Sequence, residues 1–163
     1  MLRRRIQVGV VSRRTGAERT NEWKRSILVK PEWSEISEFC TSLTTLTPDM
    51  FASAGSLGDA VRILQKEFHS QDRLWASWGD YDRRQFERVC REHGVAYPFG
   101  PTHLNVKTLF AAAIGDDREM GLDGAYTRLG WPMEGTHHRG GDDAWNIAGV
   151  LCLLLKQMRR VGE

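Results

Sequence analysis

The sequence has few cysteines and little net charge, and both scarcities exclude classes of protein. Its three cysteines, Cys40, Cys90 and Cys152, are scattered over 163 residues, and no Cys-x-x-Cys pair occurs. This spacing argues against a zinc ribbon and against a thioredoxin-type redox site. Cys90 and Cys152 fall in helical apolar patterns, so we expect buried thiols, which suits the reducing cytoplasm. The net charge of +2 does not by itself indicate a nucleic-acid-binding protein.

Long apolar runs, internal repeats and low-complexity segments are also missing. The longest apolar stretch, residues 148–155, is far too short to cross a membrane. The Met-Leu-Arg-Arg-Arg start has no apolar segment behind it and is not typical of a signal peptide. With 40% hydrophobic and 27% charged residues, the composition is that of an ordinary globular protein with no membrane partner. The length suits one domain over residues 1–163.

The apolar patterns predict an α/β domain in which helices pack on a mixed sheet. Strands are predicted at 5–12 and 22–30, as an antiparallel hairpin, and at 73–78 and 103–107. Helices are predicted at 34–43, 56–68, 82–94, 108–114 and 121–129. A last helix is predicted to begin at Asp142 or Asp143.

Two junctions in front of helices carry two carboxylates each. The first, SWGDYDRRQF, holds Asp80 and Asp82, and the second, EGTHHRGGDDAWNIA, holds Asp142 and Asp143. Helix capping accounts for one acidic residue at each junction but not for two. Carboxylates without cysteine suit a hard cation such as Mg²⁺ or Mn²⁺. A histidine beside them that is not needed as a ligand is a candidate general base, so the set favours metal-assisted phosphodiester hydrolysis.

Glycines and histidines accompany the second pair of carboxylates. Gly140 and Gly141 would allow another group to approach the backbone closely. Without a chemical role, His137 and His138 would be loop histidines with satisfied hydrogen bonds. A zinc hydrolase that uses both histidines and an aspartate ranks last among the alternatives, because adjacent side chains point in different directions on most backbones.

The pattern His-x-Gly-x-Asp-Asp-Ala-x-Asn-Ile-Ala resembles the last motif of the DEDDh-type 3′→5′ exonucleases, the superfamily of polymerase proofreading subunits and RNase T. Four further stretches agree in order: SEFCTSLTTLT, WASWGDYDRRQFERVC, LNVKTLFA and GLDGAYTRLGWPMEGTHHRG. The match is most similar to the branch of histone-mRNA and small-RNA-trimming exonucleases. The resemblance implies a ribonuclease H-like fold, a mixed sheet flanked by helices. It also implies hydrolysis at the 3′ end of single-stranded RNA or DNA.

The resemblance also implies roles for individual residues. Asp82, which precedes x-x-x-Phe, and Asp143, five residues after a histidine, would be metal ligands in a site for two Mg²⁺ or Mn²⁺ ions. The histidine, His138, would be the catalytic base that deprotonates the attacking water. Leu46 would bind substrate by packing against the terminal nucleotide. The remaining neighbours would be structural or would support these groups: His137, Asp80 and Asp142.

The sequence departs from the family pattern in one respect. The family takes two more carboxylates from an Asp-x-Glu on its first, central strand, whereas the one Asp-x-Glu here, residues 117–119, follows a helix in a polar loop. We therefore expect the first strand to be missing, through a late start codon or a fragment. The strands at 5–12 and 73–78 would then lack a shared partner, and the chain as written would be weakly active or inactive. The alternative is a catalytically inactive exonuclease-like module that binds nucleic acid or protein.

Overall fold

The computed structural model describes residues 6–12, 23–30, 41–42 and 44–159. Its four strands are β1 (Ile6–Ser12), β2 (Trp23–Val29), β3 (Trp75–Ser77) and β4 (His103–Asn105). The α-helices whose bounds lie within the described residues are α1 (Leu57–Phe68), α2 (Tyr81–Glu92), α3 (Val106–Ile114), α4 (Leu122–Leu129) and α5 (Gly140–Arg159). Residues 41–42 and 44 are also helical. A 3₁₀ turn, Pro48–Phe51, precedes α1. The helix predicted at 34–43 lies mostly outside the described residues.

The described strands form two separate pairs. β1 and β2 pair antiparallel from Ile6 opposite Val29 to Ser12 opposite Trp23, so the predicted hairpin is confirmed. β3 and β4 pair parallel. Within the described ranges no ladder joins the two pairs. The predicted α/β class is confirmed.

Capping side chains set where several elements begin. Ser56 and Asp59 form a capping box at the predicted start of α1: Ser56 Oγ accepts from the Asp59 N–H at 3.1 Å, and Asp59 Oδ2 accepts from the Ser56 N–H at 2.8 Å. β4 ends two residues earlier than predicted, because Asn105 already caps α3. Its Oδ1 accepts from the Thr108 N–H at 3.1 Å, which draws Val106 into the helix.

Two hydrophobic clusters make up the core. The first lies around the hairpin, α1 and α2, and its buried members are Val8, Ile27, Val29, Leu57, Ala60, Val61, Leu64 and Val89. The second packs α3, α4 and α5 together, and its buried members are Val106, Phe110, Leu122, Ala125, Tyr126, Val150 and Leu154. Helix α5 also contacts β1 extensively, so its first turns connect the two clusters.

The structure tests the expected burial of the cysteines and the expected lack of a membrane-spanning segment. Cys90 is a buried free thiol, as expected, whereas Cys152 is only partly buried; Cys40 lies outside the described residues. Among the helices that the structure describes, none has the length and apolar character needed to cross a membrane.

Candidate active site at the start of helix α5

Helix α5 begins at Gly140, earlier than the sequence predicts, so Asp142 and Asp143 lie inside its first turn. The expected start at one of these aspartates is wrong because a distant side chain supplies the first acceptor. Gln7 on β1 accepts a hydrogen bond from the Gly140 N–H through its Oε1 at 2.8 Å. Both carboxylates therefore lie at the positive end of the helix dipole, where negative charge is stabilised.

The glycines at this junction let the hairpin approach the helix. A Cβ on Gly9 would lie 2.6 Å from Ala144 Cβ and closer still to the carbonyl oxygen of Gly140. A Cβ on Gly140 would lie 2.8 Å from the Gln7 carbonyl oxygen, and one on Gly141 would collide with a serine hydroxyl of β2. The group that approaches Gly140 and Gly141 is thus the protein's own hairpin, and no ligand is needed to explain these two residues.

Asp142 is tied into the fold by two partners. Its Oδ1 lies 2.5 Å from Lys24 Nζ, and its Oδ2 accepts from the Thr136 N–H at 2.9 Å. Burial acts to raise the pKa of this carboxyl, but the hydrogen bonds from Lys24 and Thr136 hold the pKa below its ordinary value. Asp142 joins β2, the loop before α5 and the helix, which is a structural arrangement.

Asp143 and Asp82 have different surroundings from Asp142. Burial raises the pKa of Asp143, although Oδ1 accepts from the His138 N–H at 3.2 Å and lies 3.1 Å from His137 Nδ1. Asp82 is solvent-exposed in the first turn of α2, yet desolvation by the surrounding protein raises its pKa, and the charge of Asp143 raises it further. The two negative charges therefore repel each other, although Asp82 does not join the cluster of His137, His138 and Asp143, whose donor atoms lie within 4.8 Å of one another. A divalent cation between them would remove that repulsion, so this donor pair suits a hard cation.

Two histidines lie beside Asp143 on a tight turn. His138 has a left-handed backbone with φ of 68°, and the Arg139 N–H donates to the Thr136 carbonyl at 3.2 Å. This turn brings the adjacent rings of His137 and His138 side by side, with centroids 3.9 Å apart. The expectation that neighbouring histidines point apart is wrong at this position, because the left-handed residue reverses the chain direction.

Sequence reasoning missed Asn146, which holds this loop against α5. Its side chain is 0% exposed. Oδ1 accepts from the Glu134 N–H at 3.1 Å, and Nδ2 donates to the carbonyls of Glu134 at 2.9 Å and Asp142 at 3.0 Å. The Tyr126 hydroxyl donates to the Asn146 carbonyl at 3.0 Å. An asparagine on the buried stripe of an apolar helix was the available signal, because buried amides are retained where their hydrogen bonds are satisfied.

Asp80 occupies the N-cap position of α2, but its side chain makes no capping hydrogen bond. Its Oδ1 lies instead 3.4 Å from Arg83 Nε and 3.6 Å from His103 Nδ1. The other ring nitrogen of His103 lies 2.8 Å from Ser77 Oγ, and the ring is only 8% exposed. His103, which sequence reasoning also missed, is the first residue of β4 and thus links the carboxyl end of β3 to the start of the helix that carries Asp82.

Leu46 lies at a cavity next to the loop. The cavity has a volume of about 210 Å³ and is lined by Gln7, Ser26, Leu28, Leu46, Met50, Arg139 and Asp142. Leu46 is 2% exposed and forms part of the apolar wall. The guanidinium of Arg139 is fixed there, because its Nε donates to Thr45 Oγ1 at 2.8 Å. The cavity combines apolar and polar side chains with one charge of each sign, from Arg139 and Asp142.

The sequence matches a family model described as an exonuclease over residues 2–151. The chain belongs to the exonuclease family. Exonucleases of this family generally use divalent metal ions, which agrees with the paired carboxylates of the site. A comparison of the sequence with curated proteins found no significant match.

Solved exonuclease structures share this exonuclease chain's fold. A full-length 3′-exonuclease matches with a TM-score of 0.78 and 23% identity, over 93% of this chain and 53% of that one, so this chain spans about half its length. A 3′-exonuclease that recognises the 3′ end of a histone mRNA stem-loop matches with a TM-score of 0.72 and 19% identity, over 93% of this chain and 82% of that one. Exonuclease X in complex with 5′-overhanging duplex DNA matches with a TM-score of 0.59 and 14% identity, over 93% of this chain and 91% of that one. The predicted ribonuclease H-like fold is confirmed.

Proposed function

We propose that residues 1–163 form a single cytoplasmic domain that hydrolyses phosphodiester bonds at the 3′ end of single-stranded RNA or DNA. The observation that carries this proposal is the hydrogen bond that joins Asp143 to His138, together with the electrostatic effect of Asp143 on Asp82. The carboxylates come from different helices, both have raised pKa values, and the charge of one raises the pKa of the other. Such a pair is costly without a cation and is stabilised by one.

Asp82 and Asp143 are the proposed ligands of Mg²⁺ or Mn²⁺. Such an ion supplies Lewis-acid stabilisation of the phosphate and lowers the pKa of a bound water. Two carboxylates are enough to hold one hard cation that keeps several waters. A two-ion site needs further carboxylates, so the complete site would contain more acidic residues than this pair.

The residues around the carboxylates have proposed roles in binding and proton transfer. His138 is exposed to solvent, so its imidazole is free to accept a proton from an attacking water. Its backbone N–H donates to Asp143, which fixes the base relative to the ligand carboxylate. Leu46 and Arg139 line the adjacent cavity, where the apolar wall suits the terminal nucleotide and the guanidinium suits a phosphate.

The test is hydrolysis of a 3′-labelled single-stranded oligonucleotide with Mg²⁺ or Mn²⁺, by this chain and by a form extended with its upstream codons. His138→Ala is expected to slow hydrolysis by roughly 10²-fold or more, the usual contribution of a general base. His69→Ala is the matched control, because His69 is also a left-handed histidine with φ of 50°. An active form that cuts equally well after His138→Ala would contradict the assigned base.

Asp82→Asn tests the ligand role. It is expected to remove metal-dependent hydrolysis, whereas Asp123→Asn, which changes an aspartate in the first turn of α4, leaves hydrolysis unchanged. Titration with Mn²⁺, followed by electron paramagnetic resonance, would show weaker binding in Asp82→Asn alone. Equal Mn²⁺ affinity in both variants would remove Asp82 from the metal site.

A non-catalytic nucleic-acid-binding module is the second candidate, and one exposed aromatic favours it. Tyr81 is 49% exposed and immediately precedes Asp82. Stacking of a base on such a ring contributes about 1–3 kcal/mol. Salt-dependent oligonucleotide binding without turnover, weakened by Tyr81→Ala but not by Trp23→Ala on the hairpin, would support this candidate.

A further inference from the structure

His137, His138 and Asp143 bring three donor groups to one point. One nitrogen from each imidazole and one carboxylate oxygen all lie within 4.8 Å of one another. The left-handed backbone of His138 creates this convergence, because it turns two adjacent rings toward the same carboxylate. The side chains of His137 and Asp143 are 39% and 25% exposed, so a solvent ion reaches them.

The donor set suits a different metal from the paired carboxylates. Two imidazoles and one carboxylate are typical ligands of Zn²⁺, whereas Mg²⁺ prefers oxygen. Zinc–ligand bonds of about 2.0–2.1 Å in a tetrahedral site place two ligand atoms roughly 3.3 Å apart. His137 Nδ1 and Asp143 Oδ1 are 3.1 Å apart, so zinc fits between these atoms with little movement.

We propose that His137, His138 and Asp143 form a zinc site whose occupation inhibits the exonuclease centre. The inhibitory half rests on the proposed function, because zinc takes both the proposed base, His138, and a proposed Mg²⁺ ligand, Asp143. With both imidazoles of the loop bound to zinc, neither can accept a proton from water. Zinc at this site therefore removes the base and one of the ligands that the proposed Mg²⁺-supported reaction needs.

Direct binding tests the site without reference to activity. The whole chain is titrated with Zn²⁺ by calorimetry and with Co²⁺ by visible absorption, which reports nitrogen and oxygen ligands in a tetrahedral site. We expect one ion per chain and a loss of affinity of roughly tenfold or more in His137→Ala, since second-shell changes alone cost 10–100-fold. His69→Ala is the matched control and is expected to bind like the wild type. Equal affinity in His137→Ala and His69→Ala, or no binding at micromolar Zn²⁺, would overturn the site.

Competition tests the inhibitory half. Mn²⁺ is bound first and followed by electron paramagnetic resonance, and one equivalent of Zn²⁺ is expected to release it and to stop Mg²⁺-supported hydrolysis at the same concentration. In His137→Ala the Zn²⁺ concentration needed for both effects is expected to rise roughly tenfold or more. Simultaneous binding of both ions, or hydrolysis that persists at saturating Zn²⁺, would overturn the inhibition. A chain that never hydrolyses the oligonucleotide would contradict the proposed function, while Zn²⁺ binding and Mn²⁺ release would still decide this inference.

Discussion

Replacement of Asn146 is expected to release the loop that carries both histidines while α5 remains folded. Asn146→Ala removes three side-chain hydrogen bonds of 2.9 to 3.1 Å: two join α5 to the backbone of Glu134, and the third, to the Asp142 carbonyl, lies within α5 itself. Asn146→Asp keeps the shape and can still accept from the Glu134 N–H, but it cannot donate. It also places a negative charge on a residue that is 0% exposed, near two other aspartates.

The size of the effect follows from the contacts. Each lost hydrogen bond contributes roughly 0.5–1.5 kcal/mol net, so three give about 1.5–4.5 kcal/mol, of which the two bonds to the loop account for about 1–3 kcal/mol. Glu134 is an exposed residue, so water can replace part of the hydrogen bonding that its N–H and carbonyl lose. This replacement favours the lower end of that range. Asn146→Asp is expected to lose more, because the buried carboxylate is unpaired. Both effects concern the free energy of unfolding, measured with urea.

Limited proteolysis with trypsin separates loop opening from global unfolding. Arg139 lies in the loop, and cleavage after it requires the local structure to open. When opening is fast, the cleavage rate follows the population of the open form, so about 2 kcal/mol corresponds to roughly 30-fold faster cleavage. Mass spectrometry of the fragments identifies the site.

Asn105→Ala is the matched control. It removes one capping hydrogen bond from α3, which costs about 1 kcal/mol, and it leaves the loop intact. We expect cleavage at Arg139 in this variant to be no faster than its loss of global stability explains. The same cleavage rate in Asn146→Ala as in the wild type would refute the reasoning, since the loop would then be held by other contacts.

Three other changes test the electrostatics and packing around the site. Without metal at neutral pH, Asp82→Asn is expected to raise the thermal midpoint, because desolvation and Asp143 raise the pKa of Asp82 and so make its charged form unfavourable in the folded state. Calorimetry should also show that Mg²⁺ stabilises the wild type more than the variant. Burial is the main cause that lowers the pKa of His103 below its ordinary value of 6.5, so the folded state binds this proton more weakly than the unfolded state does. The neutral ring therefore contributes its full stability above pH 6.5, and this contribution is lost as the pH falls through the lowered pKa. His103→Gln is therefore expected to flatten the fall in stability on acidification, measured by urea unfolding at several pH values, and an unchanged slope would contradict this. Gly9→Ala is expected to cost at least about 1–3 kcal/mol, because its Cβ would collide with the Gly140 carbonyl oxygen and with Ala144 Cβ. Gly58→Ala in α1, whose Cβ would come no closer than 3.7 Å to Ser56 Oγ, is expected to be neutral or stabilising, and equal midpoints for the two variants would disprove the close contact.

Local signals in the sequence were sufficient for much of the fold. The hairpin follows from alternating apolar residues, and the start of α1 follows from Ser56 and its capping partner Asp59, three positions on. These features depend on neighbours in the chain, so periodicity and capping chemistry are enough to predict them. The roles of Asp82, His138 and Asp143 came from a family resemblance and stay predictions until the variants are measured.

The features that sequence reasoning missed depend on long-range contacts. The start of α5 at Gly140 is set by Gln7, a side chain from the other end of the chain. The close approach of the His137 and His138 rings depends on a left-handed histidine, a conformation that residue identity alone does not predict. His103 became notable only when β4 placed it beside Ser77 and Asp80.

The hairpin bears on the site although its side chains have no proposed chemical role. Asp82 is on α2, which joins the first hydrophobic cluster through Val89, whereas Asp143 is on α5, which joins the second through Val150. The contact of Gly9 with the first turns of α5 fixes one cluster against the other. The separation of the two carboxylates is therefore set by hairpin packing. Because a misplacement of about 1 Å can cost 10²-fold in rate, a substitution at Gly9 is expected to weaken metal binding and hydrolysis even in variants that remain folded.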